Sequence, residues 1–302
     1  MKEIKFIING KRESDPTLQN AIKEIEAKRG ERLNIYFTKG IDGEIEEAIS
    51  SDKNIKRVVA GGGDGTINQV LNALIKVNPN LELAILPLGT ANDFATSASI
   101  PLDITLAISL ALDGESRKVD AGMVNGKYFM NVASGGFGAQ ITIETPPALK
   151  NILGGKAYAL TGFLKLFSFT PIEGELMIED HIVESRTIAT AICNGRQAGG
   201  GVVLSPEACI DDGKLDIVLF TLDKISIPPN LRPMNRGIFE EFSIRKIFRA
   251  SKIKFTPKNG LKLMNLDGEP YEAESFEFEV VKDALKLVLP PDSPLLSKRS
   301  LS

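Results

Sequence analysis

The sequence predicts two domains, an N-terminal α/β domain with a mostly parallel sheet and a C-terminal antiparallel β-sandwich. Three observations carry this expectation. Roughly the first 120 residues alternate short β-branched runs with amphipathic stretches, the pattern of a parallel sheet covered by helices. After about Gly122 the runs alternate apolar and polar residues, as in sheet with one wetted face. Between the third strand and its helix lies Gly61-Gly62-Gly63-Asp64-Gly65-Thr66, a turn of the kind that lets phosphate oxygens approach backbone N–H groups.

The elements follow in order. Lys5 to Ile8 is the first strand. Asp15-Pro16 reads as a helix N-cap with proline at the first helical position, Leu18, Ile22 and Ile25 form the apolar face, and Gly30 ends the helix. Leu33 to Phe37 is the second strand, and Glu44 to Ser50 is a helix with acidic residues in its first turn, which suits its dipole. Ile55 to Ala60 is the third strand, followed by a helix starting near Thr66, with Ile67, Val70, Leu71, Leu74 and Ile75 at helical spacing. Leu83 to Leu86 is the fourth strand, and Ile104 to Leu112 a helix closed by Asp113-Gly114. In the second half Glu175 to Ile178, Thr187 to Ile192, Leu215 to Phe220, Phe276 to Val280 and Ala284 to Leu289 read as strands. The expected boundaries are 1–122 and 123–289, with the tail 290–302 returning to the first domain.

Composition narrows the function. The chain has 302 residues, 43% hydrophobic and 25% charged, the balance of a soluble globular protein with a sizeable core. A formal net charge of -3 and a pI of about 5.5 argue against nucleic acid as a partner. Cys193 and Cys209 form neither a metal-ligand spacing nor a disulfide framework and suit a reducing cytoplasm. The N-terminus enters a strand without a signal-peptide apolar region, and no apolar run is long enough to span a bilayer. The single histidine, His181, lies beside Asp180 and Glu184 and reads as a turn or exposed strand residue.

Four constellations carry chemistry. Gly61 to Thr66 is a nucleotide-phosphate site. Pro87-Leu88-Gly89-Thr90-Ala91-Asn92-Asp93-Phe94-Ala95 follows the fourth strand and opens at the same carboxyl edge of the sheet, where open α/β sheets bind ligands. A plainer reading has Thr90 or Asp93 capping a short helix. Asn265-Leu266-Asp267-Gly268-Glu269-Pro270 is hairpin chemistry that also places the Glu269 carboxylate where it can serve as a general base. Cys209-Ile210-Asp211-Asp212-Gly213-Lys214 is a charged turn whose oxygens also suit a hard cation such as Mg²⁺.

Together these segments resemble the YegS-type lipid kinases of the diacylglycerol-kinase catalytic-domain superfamily. The resemblance covers nearly the whole chain. It includes Ile7-Ile8-Asn9-Gly10-Lys11, Gly135-Gly136-Phe137-Gly138 and the branch-specific Asn194-Gly195-Arg196-Gln197-Ala198-Gly199-Gly200-Gly201. It implies an NAD-kinase/phosphofructokinase-like first domain and an active site in the interdomain cleft. ATP would contact Thr38, then Gly63, Asp64, Gly65, Thr66, Ile67, Asn68 and Gln69, and Thr90, with Gly61 and Gly62 in support. Mg²⁺, with Ca²⁺ or Mn²⁺ left open as alternatives, would be held by Asp212 with the carbonyls of Cys209 and Lys214, and Asp64 or Asp93 would help place a catalytic ion. Glu269 would accept the proton. The loop after Thr38 is shorter than in the family, and Asn9-Gly10 stands where diacylglycerol kinases carry Asn-Pro.

The implied reaction moves the ATP γ-phosphoryl group to a lipid hydroxyl, with phosphatidylglycerol as the favoured acceptor and diacylglycerol or a sphingoid lipid as alternatives. An NAD kinase, which shares the glycine-Asp-glycine turn, and a non-catalytic nucleotide- or lipid-binding regulator are the competing classes. A cytoplasmic enzyme in transient peripheral contact with a membrane is expected. Two segments would reach the lipid: an interfacial helix with Leu160, Phe163, Leu164 and Phe167, and a basic region of Arg232, Arg236, Arg245, Lys246, Arg249, Lys252 and Lys254. Their plainer readings are a helix packed on the sandwich and a solvated charged face.

Overall fold

A computed structural model describes residues 3–136, 172–187, 189–220, 245–258 and 263–297. The expected interfacial helix, Arg232 and Arg236 lie outside these residues. The chain divides into a first unit, Met1–Asp120 with Lys282–Ser302, and a second, Ala121–Val281.

The first unit begins β1 (Ile4–Ile8), α1 (Pro16–Arg29), β2 (Asn34–Phe37), α2 (Glu44–Ser50), β3 (Arg57–Gly62), α3 (Asp64–Val77), β4 (Glu82–Pro87), α4 (Asp93–Ser97) and α5 (Ile104–Asp113). Its strands run parallel in the order β2-β1-β3-β4. The Asp15 carboxylate caps α1 by accepting from Thr17 and Leu18 N–H, and Gly30 ends it at φ 70°. Leu18, Ala21, Ile22 and Ile25 of α1 pack with Phe6, Ile8, Val59, Ala84 and Leu86 of the sheet and Ala107, Ile108 and Ala111 of α5. Ile67, Val70, Leu71 and Leu74 are buried on α3. Each such side chain contributes about 1.5–3 kcal/mol on burial. The helix starts at Asp64, two residues ahead of the expected Thr66, because Gly63 is already its extended N-cap.

The chain enters the second unit within β5 (Ser116–Val124) and continues through β6 (Lys127–Phe129), β7 (Val132–Gly136), β8 (Ile172–Ile178), β9 (His181–Thr187), β10 (Ala189–Cys193), β11 (Gln197–Ala198), β12 (Val202–Val203), β13 (Leu215–Phe220), β14 (Arg245–Ala250), β15 (Lys252–Pro257), β16 (Leu263–Leu266), β17 (Glu269–Glu272) and β18 (Phe276–Val288). One antiparallel sheet joins the start of β18 to β15, β8 and β9, and the other runs β14-β13-β10-β7-β16-β17. Leu176, Ile178, Ile253, Phe255, Phe276 and Phe278 from the first meet Ala133, Ile192, Leu215, Ile217, Phe248, Met264 and Leu266 from the second in one core, as a β-sandwich requires. Phe129 meets Phe278 edge to face, with centroids 6.4 Å apart.

Two strand expectations change. The run from Thr187 to Ile192 is not one strand: β9 ends at Thr187 and pairs with β8, whereas β10 starts at Ala189 and pairs with β7 and β13. The chain changes sheets between them, which alternation in the sequence does not register. Conversely, the runs Phe276 to Val280 and Ala284 to Leu289 belong to one strand, β18. Within it Asp283 adopts φ 51°, and its N–H donates to the Asp120 carboxylate at 3.0 Å. The end of β18 pairs in parallel with β4 through Lys286↔Glu82 and Leu287↔Leu83.

One charged contact ties the first unit's sheet to α5. The Arg57 side chain, 11% exposed, donates to Glu82 Oε2 at 2.7 Å and to the carbonyls of Ala111, Leu112 and Gly114 at 2.8–3.1 Å. Burial alone would raise the Glu82 carboxyl, but the Ser116 hydroxyl and the Arg57 guanidinium outweigh it and hold it below its ordinary value. Arg57→Met leaves this carboxylate and three helix-end carbonyls without their cation. Urea unfolding is expected to show a loss of about 2–4 kcal/mol in the first unit. A depressed carboxyl stabilises fully above its unfolded pKa and loses that contribution as pH falls through the folded value. The stability gap between wild type and Glu82→Gln should therefore close as the solution is acidified below about pH 4.

Candidate functional site

The carboxyl ends of all four parallel strands of the first unit turn into loops that bond to one another. After β1, the Asn9 N–H donates to the Gly61 carbonyl at 2.8 Å, and its Nδ2 donates to the Thr66 hydroxyl at 3.1 Å. The Gly10 N–H donates to the Thr38 hydroxyl at 3.2 Å. After β4, the Leu88 N–H donates to the Gly62 carbonyl at 2.9 Å. Asn92 closes its loop on itself: Oδ1 accepts from Gly89 N–H at 2.8 Å and Nδ2 donates to the Gly89 carbonyl at 2.9 Å.

The glycine turn and the Gly89 loop touch through backbone. A Cβ on Gly89 would lie 2.4 Å from the Gly63 Cα and 2.7 Å from Asn92 Oδ1, so the junction has no room for a side chain at this position. Asp64 completes the junction. Its Oδ2 accepts from Asp93 N–H and its Oδ1 from Phe94 N–H, both at 3.2 Å. The short helix α4 is thus capped neither by Thr90 nor by Asp93. Its N-cap residue is Asn92, at φ 51° with no side-chain capping bond, and the capping oxygens come from Asp64, the first residue of α3. Sequence reasoning passes over this role because the partners are 29 and 30 positions apart.

Thr38, Gly63, Asp64, Gly65, Thr66 and Thr90 therefore come together at one sheet edge with Gly61 and Gly62. Thr90 is exposed, and Gly63, Asp64 and Gly65 are half-buried. Gln69 points to solvent, whereas the Ile67 side chain, 1% exposed, belongs to the core, so any ligand contact there is main-chain only. Asn68 is buried and accepts from Asn72 Nδ2. The loop bearing Thr38 is held from behind by Glu44, whose carboxylate accepts from the N–H groups of Lys39, Gly40 and Ile41 and from the Tyr36 hydroxyl. Burial would raise this carboxyl; those four donors keep it below its ordinary value.

The remaining residues lie in the second unit. Glu269 opens β17 and is half-buried. Asp212 lies in the turn before β13, where Oδ1 accepts from Lys214 N–H at 3.0 Å and Oδ2 is 3.5 Å from Arg249 Nη1. One carboxylate with the carbonyls of Cys209 and Lys214 is an all-oxygen donor set that fits a hard cation. No cluster of three or more His, Cys, Asp or Glu side chains occurs among the described residues, so such an ion would lean on main-chain carbonyls. Burial first, and then the Asp212 carboxylate, push the Cys209 thiol above its ordinary value. Of the described part of the basic region, Lys252 is exposed and two residues are paired. Arg249 is paired with Asp216 at 2.7 Å and Lys254 with Glu277 at 2.6 Å, and burial lowers the Lys246 ammonium.

A parallel sheet with glycine loops at its carboxyl edge, followed by an antiparallel sandwich, defines the class. Residues 3–124 match the diacylglycerol kinase catalytic domain family, and residues 131–289 match the YegS C-terminal NAD kinase beta sandwich-like domain. A protein of Shewanella frigidimarina named "Probable lipid kinase YegS-like" is 38% identical over 98% of this chain and 96% of its own length. One of the same name from Pseudomonas aeruginosa is 39% identical over 97% and 96%. A crystal structure of a diacylglycerol kinase from Bacillus anthracis superposes with a TM-score of 0.71 over 97% of this chain and 98% of that one, at 18% identity, which shows the shared fold. The chain belongs to the diacylglycerol kinase catalytic-domain family, and within it to the YegS-type kinases.

The Gly63–Gly89 contact yields a direct test. Gly89→Ala has to push two loops apart and is expected to cost about 1–3 kcal/mol in urea unfolding. Gly40→Ala, where a Cβ meets nothing within 4 Å but φ is +76°, should cost about 1 kcal/mol. Equal costs for the two would show that the loops do not lock.

Proposed function

We propose that this kinase transfers the γ-phosphoryl group of ATP to a lipid hydroxyl, with phosphatidylglycerol as the first candidate acceptor. The observation that carries the reading is the locked junction of the Gly61–Thr66 turn and the Gly89–Asn92 loop at the carboxyl edge of a parallel sheet. Backbone N–H groups and the α3 N-terminus there suit phosphate oxygens. Relatives named as lipid kinases over nearly the full chain supply the acceptor class.

Phosphoryl transfer of this kind depends on positioning and charge neutralisation. Thr38, Gly63 to Gln69 and Thr90 bind and orient the triphosphate in this reading. Asp212 with the Cys209 and Lys214 carbonyls would hold Mg²⁺, and Asp64 or Asp93 would help place a catalytic ion; the ion would supply charge neutralisation at phosphate oxygens. Glu269 accepts the hydroxyl proton late, as the oxygen bonds to phosphorus. No described helix is long and apolar enough to cross a membrane, in keeping with an enzyme that meets its lipid transiently from the cytoplasm.

Incubation with labelled ATP, Mg²⁺ and a total lipid extract, followed by mass spectrometry, is expected to yield a phosphorylated lipid, phosphatidylglycerol foremost. Label in NADP, or ATP bound without turnover, would replace the proposal by another class. Glu269→Gln should lower kcat by about 10²–10⁴-fold while ATP binding, read by calorimetry, stays unchanged. Full activity in this variant would remove Glu269 from the chemistry.

A further inference from the structure

The turn that carries Glu269 is held by a carboxylate of its own. Leu266 pairs with Glu269, so Asp267 and Gly268 form a two-residue hairpin loop with φ 51° and 102°. Both values are positive, the geometry in which Asp-Gly is favoured between twisted strands. Asp267 is more than turn former. Its side chain is buried, 6% exposed, and turns back onto the chain entering β7. Oδ2 accepts from Met130 N–H at 2.6 Å, and Oδ1 accepts from Asn131 N–H at 2.9 Å and Val132 N–H at 2.8 Å. The Asp267 N–H donates to the Val132 carbonyl at 3.1 Å, so backbone and side chain grip the same corner. Asn265 closes the turn from the other side, with Oδ1 accepting from Gly268 N–H at 2.8 Å.

That corner is anchored in turn. The Asn131 carbonyl accepts from Asn194 and Gly195 N–H at 2.9 and 2.8 Å. Asn131 Nδ2 donates to the Gln197 carbonyl at 2.9 Å, and Asn194 Nδ2 to the Met130 carbonyl at 2.8 Å. A Cβ on Gly195 would sit 2.1 Å from Asn131 Oδ1, which leaves glycine as the residue that fits. The Asn194-Gly195-Arg196-Gln197 run thus bonds to the residues that Asp267 holds.

We infer that Asp267 is a positioning residue that fixes the backbone of Glu269 through the Met130–Val132 corner, with Asn131, Asn194 and Gly195 as its support. This rests on the reading of Glu269 as proton acceptor. The physical requirement is for a carboxylate and not merely a polar side chain. Two oxygens accept from three N–H groups. Asparagine replaces one of those oxygens by an NH₂ group, which sets donor against donor at a buried site. The hairpin then has to move, and a misplacement of about 1 Å in reacting groups costs on the order of 10²-fold in rate.

The experiment is a double-mutant cycle with Asp267→Asn and Glu269→Gln in the full-length enzyme, assayed with ATP, Mg²⁺ and phosphatidylglycerol in mixed micelles. Asp267→Asn alone should cut kcat by about 10²-fold while KM for ATP stays within about 2-fold. In the Glu269→Gln background the same change should cost less than about 3-fold, since a misplaced glutamine has no proton transfer left to lose. An equal loss in both backgrounds, or a raised KM for ATP with kcat intact, overturns the positioning role. Glu269→Gln at wild-type kcat overturns the proton-acceptor reading instead, and the two failures appear in different arms. Should Asp267→Asn fail to fold by circular dichroism, Asn265→Ala repeats the cycle. It removes the acceptor for Gly268 N–H, and a loss of about 10-fold confined to the Glu269 background is expected.

Discussion

An ionised carboxylate taken out of water has to be surrounded by donors, and in this protein the donors are loop amides. Glu44 gathers the N–H groups of residues 39–41, Asp64 those of residues 93 and 94, and Asp267 those of residues 130–132. Each arrangement satisfies two needs together. The charge is compensated without a cation's bulk, and backbone N–H groups in irregular chain find acceptors. The consequence is rigidity where irregular chain is usually mobile. The loops around Thr38, Gly63, Gly89 and Glu269 are each bonded to one of these three carboxylates or to a residue next to it.

The same arrangement explains what could be read in the sequence. Short-range signals were legible because their physics is local. Asp15-Pro16 and Gly30 bracket α1 as capping chemistry demands, and the glycines at 61–63 and 89 point to a close backbone approach. Lys5 to Ile8, Glu44 to Ser50 and Leu215 to Phe220 are strand, helix and strand as their patterns imply. The carboxylate clamps were not legible, since Asp267 reaches back 135–137 positions and Asp64 forward 29 and 30. Composition marks Asp267 as half of an ordinary Asp-Gly turn, and it is one. The turn geometry is the local half of its role, and the grip on residues 130–132 is visible only once β7 and β16 are neighbours.

Strand boundaries failed for a related reason. Alternation reports which face of a sheet a residue occupies, not which sheet. The break after Thr187 leaves the alternation intact while the chain changes partners from β8 to β7 and β13. At Asp283 the reverse holds. A single residue at φ 51°, tied to Asp120, interrupts the pattern without ending the strand. A β-strand with such a local irregularity can serve two units in succession, pairing with β15 before it and with β4 after it.

The turn around Asp212 shows how far one charge can alter the meaning of its neighbours. In the sequence Arg249 belongs to a cationic stretch suited to anionic lipid. In the structure its guanidinium lies between Asp216, itself 3% exposed, and Asp212, and donates to the Glu207 carbonyl as well. The bond that Arg249 donates to Asp216 is the largest influence holding the guanidinium above its ordinary value, and the Ser205 hydroxyl donates to the same carboxylate at 2.5 Å. Arg249 is therefore an internal counter-ion for the loop whose oxygens suit a cation. A buried Asp216 needs a partner, and it has one at 2.7 Å, whereas Asp212 lies 3.5 Å from the same guanidinium and accepts from Lys214 N–H as well. The pair of Arg249 with Asp216 ties β14 to β13 beside the turn, and the longer contact extends the same guanidinium to Asp212.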